Sequence, residues 1–266
     1  MINIHNQVVA ASVLAFCLTF NLKVSARTVE HAEWGKIFAD NGCTGTFVLF
    51  DVEKNCVSAF NRPRAEKRYV PASTFKIANS LIALEVGAVQ NADQVLPYGG
   101  KPQPFRSWEH DMSMRDAMKI SNVAIYQEIA RRIGLKRMRQ WLQKLAYGNE
   151  QTGLVVDQFW LHGPLKISAI EQARFIARLA QAKLPLLPAT QATVRQLIKQ
   201  DDFDNLYAKT GWLTRHNPPI GWWVGFVEKD HKIYSFALNI DMADEKNAPK
   251  RLVIGKAILK MAGLLN

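Results

Sequence analysis

The segment Val70-Pro71-Ala72-Ser73-Thr74-Phe75-Lys76 leads straight into an apolar run that extends to Leu84. Apolar residues in that run recur at helical spacing, which predicts a buried helix. Pro71 has no N–H to donate and therefore fits only at or before the first turn of this helix. Ser73 then lies at the helix N-terminus, and Lys76 follows one turn later on the same face.

The pairing of Ser73 with Lys76 has two interpretations. A hydroxyl, an amine three residues later and the free backbone N–H groups of a helix N-terminus are the components of an acyl-transfer nucleophile. The alternative is a serine that caps the helix and a lysine that points into solvent. Because a bare S-x-x-K pattern favours the second interpretation, the choice depends on partners elsewhere in the chain.

The composition indicates a folded protein with a sizeable core. The chain has 266 residues, of which 48% are hydrophobic, and this is enough to bury one large domain or two small ones. The formal net charge is +11, but the lysines and arginines do not form the clustered stripe typical of nucleic-acid-binding proteins. We therefore expect no nucleic-acid partner and, at most, a non-specific attraction to anions.

Residues 1–26 have the pattern of a secretory signal peptide. Their apolar core, residues 8–20, is too short to span a bilayer, and Val24-Ser25-Ala26 is a small-x-small cleavage site before Arg27. Cys17 does not follow a small residue, which argues against a lipoprotein anchor. No later segment is long and apolar enough to cross a membrane, so we expect a periplasmic protein without membrane contact after cleavage.

Two cysteines, Cys43 and Cys56, remain after the leader is removed, and export would allow them to pair. The strands predicted at 46–50 and 57–60 form a hairpin that turns near residues 53–55. In this hairpin the two cysteines are offset by about eight residues, or roughly 25 Å, which is far beyond disulfide reach. We therefore expect two free thiols.

Hydrophobic periodicity and capping residues predict the remaining elements. Helices are predicted at 29–41, 77–84, 113–120, 124–133, 136–145, 168–182, 190–200 and 249–265. Strands are predicted, besides the hairpin, at 206–212, 220–228 and 232–241. A long loop over 95–110 is rich in proline, glycine and aromatic residues, and loops of this length in compact domains are usually functional.

Strands at both ends of the chain, with helices between them, predict an α+β fold. An antiparallel sheet built from both chain ends and flanked by helices would form one subdomain from residues 27–76 and 184–266. Residues 77–183 would form an inserted, mainly helical subdomain. Because active sites commonly lie at such a seam, we expect the site between the two subdomains.

Four short motifs occur in order along the chain. They are Ser73-Thr-Phe-Lys76, Ser121-Asn-Val123, Tyr147-Gly-Asn149 and Lys209-Thr-Gly211. The first and last are motifs of serine β-lactamases and penicillin-binding proteins. Together with Phe159-Trp160-Leu161 and Gly221-Trp222-Trp223-Val224-Gly225, they resemble the class D β-lactamases, the oxacillinases. The resemblance extends from about Trp34 to the C-terminal helix and implies the serine β-lactamase and penicillin-binding transpeptidase fold.

Ser73 is the expected nucleophile. A serine hydroxyl needs a base within hydrogen-bond reach, and Lys76 is a base only if an apolar pocket lowers its pKa. Four residues would form that pocket: Phe75, Val123, Trp160 and Leu161. In the class D family the corresponding lysine takes up carbon dioxide to form a carbamate. The resemblance therefore implies a carbamate on Lys76 as the general base, held by the indole N–H of Trp160.

The second and third motifs receive their roles from the same resemblance. Ser121 would relay a proton toward the β-lactam nitrogen; the alternative is that it only caps the helix predicted to begin at Ala124. Val123 would limit access of water to the carbamate. Tyr147 is expected to line the site without catalysing the reaction, unless its motif is only a turn.

The fourth motif is expected to bind substrate. Lys209 and Thr210 would contact the substrate carboxylate, and Gly211 leaves room for the substrate to approach the backbone. Arg251 corresponds to the carboxylate-binding arginine of the family, unless it lies on a solvated helix face.

Further residues are expected around the substrate. The backbone N–H groups of Ser73 and Trp212 would form the oxyanion hole, where each donor is typically worth about 3 kcal/mol. Trp108 and Leu161 are candidates for the pocket that holds the substrate side chain, although both fit equally well as core or loop anchors. The connection 212–221 has the length and the arginine of family members that accept carbapenems.

The resemblance implies an exported serine hydrolase that opens the β-lactam ring of penicillin-type antibiotics through an acyl-enzyme on Ser73, and so confers resistance. Two alternatives stay open: a non-hydrolysing β-lactam sensor domain that keeps the acyl adduct, and a penicillin-binding transpeptidase or carboxypeptidase. The expected partner is a small-molecule β-lactam, and the chain would be a monomer or a homodimer.

Apart from carbon dioxide bound covalently to Lys76, no cofactor is expected. The six histidines are scattered and lack metal-ligand spacing, so we expect neither a metal nor an organic cofactor. Some members of the family bridge two cysteines across the first hairpin. Here Phe50 occupies one of those positions, which leaves Cys56 alone.

Overall fold

The structure, a computed structural model, describes residues 27–242 and 244–266, and the predicted signal peptide lies outside them. The strands are, in chain order, β1 (Arg27–Glu30), β2 (Gly45–Asp51), β3 (Cys56–Phe60), β4 (Val95–Leu96), β5 (Met112–Ser113), β6 (Leu206–Leu213), β7 (Ile220–Lys229) and β8 (Lys232–Asp241). The helices are α1 (Gly35–Asp40), α2 (Arg62–Glu66), α3 (Lys76–Glu85), α4 (Met114–Lys119), α5 (Val123–Ile133), α6 (Leu135–Leu145), α7 (Phe159–His162), α8 (Ala169–Ala180), α9 (Pro188–Leu197) and α10 (Lys250–Met261).

The central sheet joins the two ends of the chain, as the sequence predicted. Its six strands follow the order β1-β3-β2-β8-β7-β6, and the N-terminal hairpin meets the C-terminal strands where β2 pairs with β8. Only β1 departs from the antiparallel pattern, because it lies parallel to β3. The sheet is therefore mixed rather than purely antiparallel.

The first predicted helix was placed too early. It was expected from Val29, but Arg27–Glu30 is a strand, and the α-helix begins only at Gly35 after a 3₁₀ turn. Pairing with β1 satisfies backbone groups of β3 that would otherwise lie at an open edge. A long-range contact thus decides the conformation of these four residues.

Helices cover both faces of the sheet. On one face, Trp34, Phe38 and Trp223 pack with Ile254 and Ile258 of α10. On the other face, α8 packs across the sheet, and the cluster there continues into the helices between α3 and α7. Since both faces are covered, the first eight residues of β7 are buried. This double layer is the α+β arrangement that the sequence predicted.

Ser168 begins α8 with the predicted capping box. Its hydroxyl accepts a hydrogen bond from Glu171 N–H, and the Glu171 carboxylate accepts one from Ser168 N–H. Arg68 pairs with the same carboxylate, and this pairing holds the pKa of Glu171 below its usual value although burial acts in the opposite direction. The cap thereby ties α8 to the segment that leads to Ser73.

Smaller differences concern element ends and one loop. The helix expected at 190–200 begins at Pro188, and the last helix ends at Met261. The loop over 95–110 contains the short strand β4 and a 3₁₀ turn at Arg106–Trp108. The predicted hairpin is confirmed in the register of β2 with β3, and Cys43 and Cys56 are free thiols.

Gly225 in β7 permits the tight contact between β7 and β6. A Cβ at this position would lie 2.1 Å from the carbonyl oxygen of Tyr207, a backbone atom that has no room to move aside. We expect Gly225→Ala to lower the free energy of unfolding by at least about 3 kcal/mol, measured by urea denaturation. Gly42→Ala is the control: no atom lies within 4 Å of that Cβ, so only the strain of a φ of +60° remains, on the order of 1–2 kcal/mol. Equal losses in both variants would contradict the explanation.

Candidate active site

Ser73 lies in a short 3₁₀ turn, Ala72–Phe75, that runs directly into α3. Ala72 has a φ of +50°, a left-handed conformation that costs a non-glycine residue about 1–3 kcal/mol. The turn is backed by Gly211 on β6, where a Cβ would lie 3.1 Å from the oxygen of Pro71. The absence of a side chain at Gly211 therefore lets β6 lie directly against the serine turn.

Thr74, the residue after Ser73, is held by a series of buried hydrogen bonds. The Thr74 hydroxyl donates to the carbonyl of Pro71 at 2.8 Å and accepts a hydrogen bond from the amide of Gln172 at 2.7 Å. The indole N–H of Trp222 donates to the carbonyl of Val70 at 3.1 Å, just before the turn. These bonds fix the strained turn from two elements, α8 and β7.

Lys76 is fully buried with its amine 2.8 Å from the Ser73 hydroxyl oxygen. Burial, and secondarily the charge of Lys209, hold the pKa of Lys76 well below its usual value. The same Nζ lies 5.2 Å from the centre of the Tyr126 ring. A neutral amine beside a serine hydroxyl is able to accept its proton.

An aromatic wall encloses Lys76. Phe75 packs against Trp160 with ring centroids 5.4 Å apart, and both side chains are buried. Trp160 is held in α7, a short helix where the sequence predicted an irregular stretch. Its indole nitrogen is buried and has no hydrogen-bond partner within the described residues. A buried donor without a partner is costly, so this N–H marks a place for an acceptor.

Ser121 occupies the bend between α4 and α5. The cap of α5 is Asn122, whose side chain accepts from Ile125 N–H, so the alternative in which Ser121 caps this helix is wrong. Ser121 adopts a φ of +60°, and its hydroxyl accepts a hydrogen bond from Lys209 Nζ at 3.0 Å. Ser121 and Asn122 are both good capping residues, and the second of them, Asn122, forms the cap.

Lys209 is the second buried amine of the site. Burial, and then the nearby Arg251 charge, lower the pKa of Lys209 to about 7. Its Nζ also donates to the carbonyl of Thr210 at 3.1 Å. At neutral pH such an amine exists in both protonation states, so it is able to give a proton to Ser121 and to take one back.

Arg251 reaches the site from the start of α10. Its guanidinium donates to the carbonyl of Gly211 at 2.6 Å, and burial lowers the pKa of Arg251 to about 10. The side chain is part of the cavity wall and does not lie on a fully solvated helix face.

The backbone of β6 fixes the direction of Trp212 N–H. The N–H and C=O of Ala208 point outward, away from β7. The N–H donates to the carbonyl of Ile198, and the C=O accepts a hydrogen bond from the side-chain amide of Gln200. Because backbone direction alternates along a strand, Thr210 and Trp212 also face outward, toward the serine turn. Ser73 N–H belongs to the first turn of its 3₁₀ segment, where N–H groups lack partners inside the helix. Trp212 N–H therefore points away from β7, at the open edge of β6.

A cavity of about 660 Å³ opens beside Ser73. The predicted residues that line it are Ser73, Trp108, Ser121, Val123, Leu161, Thr210, Gly211, Trp212 and Arg251. Lys209, which was expected to contact the substrate carboxylate, is not among them and donates to Ser121 instead. Tyr147 is not among them either. It is fully buried behind Phe75, with its ring 5.5 Å from that ring and its hydroxyl near the Gln172 side chain. The structure thus places Tyr147 behind the site, where it supports the aromatic wall instead of lining the cavity.

Several lining residues were not identified from the sequence. They are Gln103, Pro104, Phe105, Ile120, Gln127, His162 and Thr214. Phe105 and Ile120 are 49% and 41% exposed, and the Phe105 ring meets Trp108 edge to face at 4.9 Å. Proline and aromatic residues in the long 95–110 loop were the signal for this apolar rim.

Two classes of site find no support in the part of the chain that is described. No group of three or more His, Cys, Asp or Glu side chains there is arranged to hold a metal ion. None of the helices in residues 27–242 and 244–266 has the length and apolar character needed to cross a bilayer.

Comparisons with known proteins agree with this geometry. The family of penicillin-binding protein transpeptidase domains matches residues 45–260. β-Lactamase OXA-10 of Pseudomonas aeruginosa is 36% identical over 261 residues, which cover 96% of this chain and 98% of that protein. β-Lactamase OXA-48 of Klebsiella pneumoniae is 40% identical over 238 residues, covering 89% and 90% of the two chains.

A solved structure matches as well. The crystal structure of FUS-1 (OXA-85), a class D β-lactamase from Fusobacterium nucleatum subsp. polymorphum, superimposes with a TM-score of 0.86 at 41% identity and covers 90% of this chain and all of that chain. Fold and site therefore define a protein of the penicillin-binding and serine β-lactamase class. Within this class, the chain belongs to the class D β-lactamases.

Proposed function

We propose that this enzyme hydrolyses the β-lactam ring of penicillin-type antibiotics through an acyl-enzyme on Ser73. The observation that carries the proposal is the buried Lys76 amine 2.8 Å from the Ser73 hydroxyl, at the wall of a cavity that is open to a small molecule. A transpeptidase would need the same serine, but the close class D relatives favour hydrolysis.

The proposed reaction has two half-reactions, acylation of Ser73 and release of the acyl group. Lys76 takes the proton of Ser73 as the hydroxyl oxygen attacks the lactam carbonyl carbon, and the N–H groups of Ser73 and Trp212 stabilise the oxyanion. The C–N bond of the ring then breaks, and the ring nitrogen takes a proton from Ser121, which Lys209 resupplies. Arg251 and Thr210 hold the substrate carboxylate by charge and hydrogen bonding.

Release of the acyl group needs a base that activates water. The pocket around Lys76 fits a carbamate: burial favours the neutral amine, which addition of carbon dioxide requires, and Trp160 supplies a buried donor that lacks a partner among the described residues. A carbamate on Lys76 would supply a general base for both half-reactions. Val123, at the start of α5, lines the cavity and restricts how water reaches this pocket.

Trp160→Phe tests the role of the indole N–H. The ring that packs on Phe75 is largely kept, whereas the donor is lost. A hydrogen bond to a charged group is worth about 1.5–3 kcal/mol, so we expect the affinity of Lys76 for carbon dioxide to fall about 10- to 100-fold. The measurement is ¹³C NMR of the carbamate carbon during titration with labelled bicarbonate. Trp141→Phe, on the exterior helix α6, is the control. An unchanged titration in Trp160→Phe would contradict the role.

Steady turnover separates hydrolysis from sensing. With a chromogenic cephalosporin in excess, we expect many turnovers per enzyme and a rate that increases with added bicarbonate. A single stoichiometric burst followed by no further product would instead favour a β-lactam sensor.

Several finer assignments remain part of the proposal. They are a role in antibiotic resistance, a periplasmic location, a carbapenem-accepting 212–221 connection and a monomeric or dimeric state. The division into a sheet subdomain (27–76 and 184–266) and a helical subdomain (77–183) is also proposed, with α8, which packs on β8, as the element that joins them.

A further inference from the structure

Helix α6 carries an uncompensated positive face. Four of its eleven residues are basic and none is acidic: Lys136, Arg137, Arg139 and Lys144. Within the described chain, none of the four forms an ion pair. The basic residues just before them differ, since Arg131 and Arg132 are both paired with Glu128. The buried face of α6 is apolar, so all four cations lie on its exposed side.

Contacts within the protein order part of this face. The Arg137 guanidinium donates to the carbonyls of Ile133 and Arg132 at the end of α5. Arg139 donates to Thr152 and Gly153, which ties the loop after α6 against the helix. Among the described residues, Lys136 has no contact of this kind, and Lys144 lies 4.4 Å over the Trp141 ring.

Two exposed apolar side chains follow in the loop after α6. Leu154 is 87% exposed, the largest value among the large hydrophobic residues described, and Val155 is 52% exposed. Leu154 lines a shallow depression together with Arg139 and Gln143 of α6. We call Lys136, Arg137, Arg139, Lys144, Leu154 and Val155 the α6 surface.

We propose that the α6 surface docks on a membrane that exposes anionic phospholipid headgroups. Unpaired Lys and Arg side chains near such a surface each strengthen binding by about fivefold, and exposed apolar side chains insert at the headgroup boundary. A nucleic acid would attract the same cations, but binding to its phosphate backbone gains nothing from an exposed leucine. The expectation of no membrane contact, made from the sequence, stays a prediction, and the vesicle experiment below decides between it and docking.

Acidic residues near the surface are few. Glu150 is half-buried in the loop after α6, and Asp157 is paired with Arg131. None of the six residues of the α6 surface lines the cavity beside Ser73. The α6 surface and the substrate cavity therefore share no residue.

Co-sedimentation with vesicles tests the proposal. We expect the protein to bind vesicles of 30% phosphatidylglycerol in phosphatidylcholine, to leave pure phosphatidylcholine vesicles unbound, and to dissociate as salt is raised. Lys136→Glu with Lys144→Glu should weaken binding at least about tenfold. Lys183→Glu with Lys260→Glu is the matched control: the change in net charge is the same, but both lysines are exposed on other elements. We expect it to retain most of the affinity.

Leucine substitutions test the apolar part. Leu154→Ser should weaken vesicle binding, whereas Leu187→Ser, at a leucine that is 62% exposed elsewhere, should not. Turnover of a chromogenic cephalosporin should be unchanged in all four variants, which shows that each is folded. Equal losses in the two double-lysine variants, or binding to DNA as tight as to the vesicles and insensitive to Leu154→Ser, would overturn the proposal.

Discussion

Ser73→Ala is expected to abolish acylation and to reduce turnover on the order of 10⁶-fold, as loss of a catalytic serine does in other acyl-transfer enzymes. The Lys76 amine is 2.8 Å from the Ser73 oxygen, and alanine leaves nothing there that can attack a carbonyl carbon. The fold should persist, because the turn is held through Thr74, Val70 and Gly211 rather than through the Ser73 side chain.

Two measurements check this result. Intact-protein mass spectrometry after exposure to a penicillin should show no adduct on the variant, and a chromogenic cephalosporin should give its turnover. Ser58→Ala, at a half-buried serine on β3, is the matched control and should react like the parent. An adduct of penicilloyl mass on Ser73→Ala would show that another residue is the nucleophile.

Lys76→Ala should produce the second-largest effect. Loss of a general base typically costs about 10²–10⁴-fold, and the proposed mechanism uses Lys76 in both half-reactions. Acylation should become slow and deacylation slower, so that the acyl-enzyme accumulates. Added bicarbonate, which should raise the rate of the parent enzyme, should have no effect on the variant.

Stopped-flow kinetics with a chromogenic cephalosporin separate the two half-reactions. Lys36→Ala is the control, because that lysine is exposed and its ion-pair partner in the described structure is Asp40 on α1. If Lys76→Ala turned over at the rate of the parent, neither the buried amine nor a carbamate on it would be the base.

The sequence predicted the architecture well where local patterns and packing agree. The hairpin of β2 and β3 and the helices α5 and α6 follow from periodicity and capping residues, and they lie within a few residues of their predicted positions. The conformation of Arg27–Glu30 could not be obtained in this way. A segment of four residues is too short to show a hydrophobic period, and the parallel pairing with β3 is a contact with a distant segment.

Within the site, motif order identified residues that the fold brings together. Ser73, Ser121 and Lys209 are distant in sequence, yet Ser73 and Ser121 line one cavity and Lys209 donates a hydrogen bond to Ser121. The backbone strain at Ala72 and Ser121 left no signal in the sequence, because it is contacts with the surrounding structure that hold these two residues at a positive φ.

Tyr147 shows the limit of a short motif. The motif led us to expect a side chain that lines the site, but the Tyr147 ring is packed against Phe75 and Phe175. Burial raises the pKa of the Tyr147 hydroxyl well above its usual value, which favours the neutral hydroxyl over the phenolate. The role of Tyr147 as a support for the aromatic wall depends on how α8 and α7 pack in the folded chain, which a short motif does not encode.

The central claim is that Ser73 is acylated and that a carbamate on Lys76 is needed for release. Acid-quenched time courses with excess penicillin, followed by peptide mass spectrometry, test it directly. With bicarbonate present, we expect the adduct on the Ser73 peptide to appear and then vanish as substrate is consumed. After carbon dioxide is removed, the same adduct should persist, and restoring bicarbonate should release it. Decay at the same rate under both conditions, or an adduct on another peptide, would contradict the account.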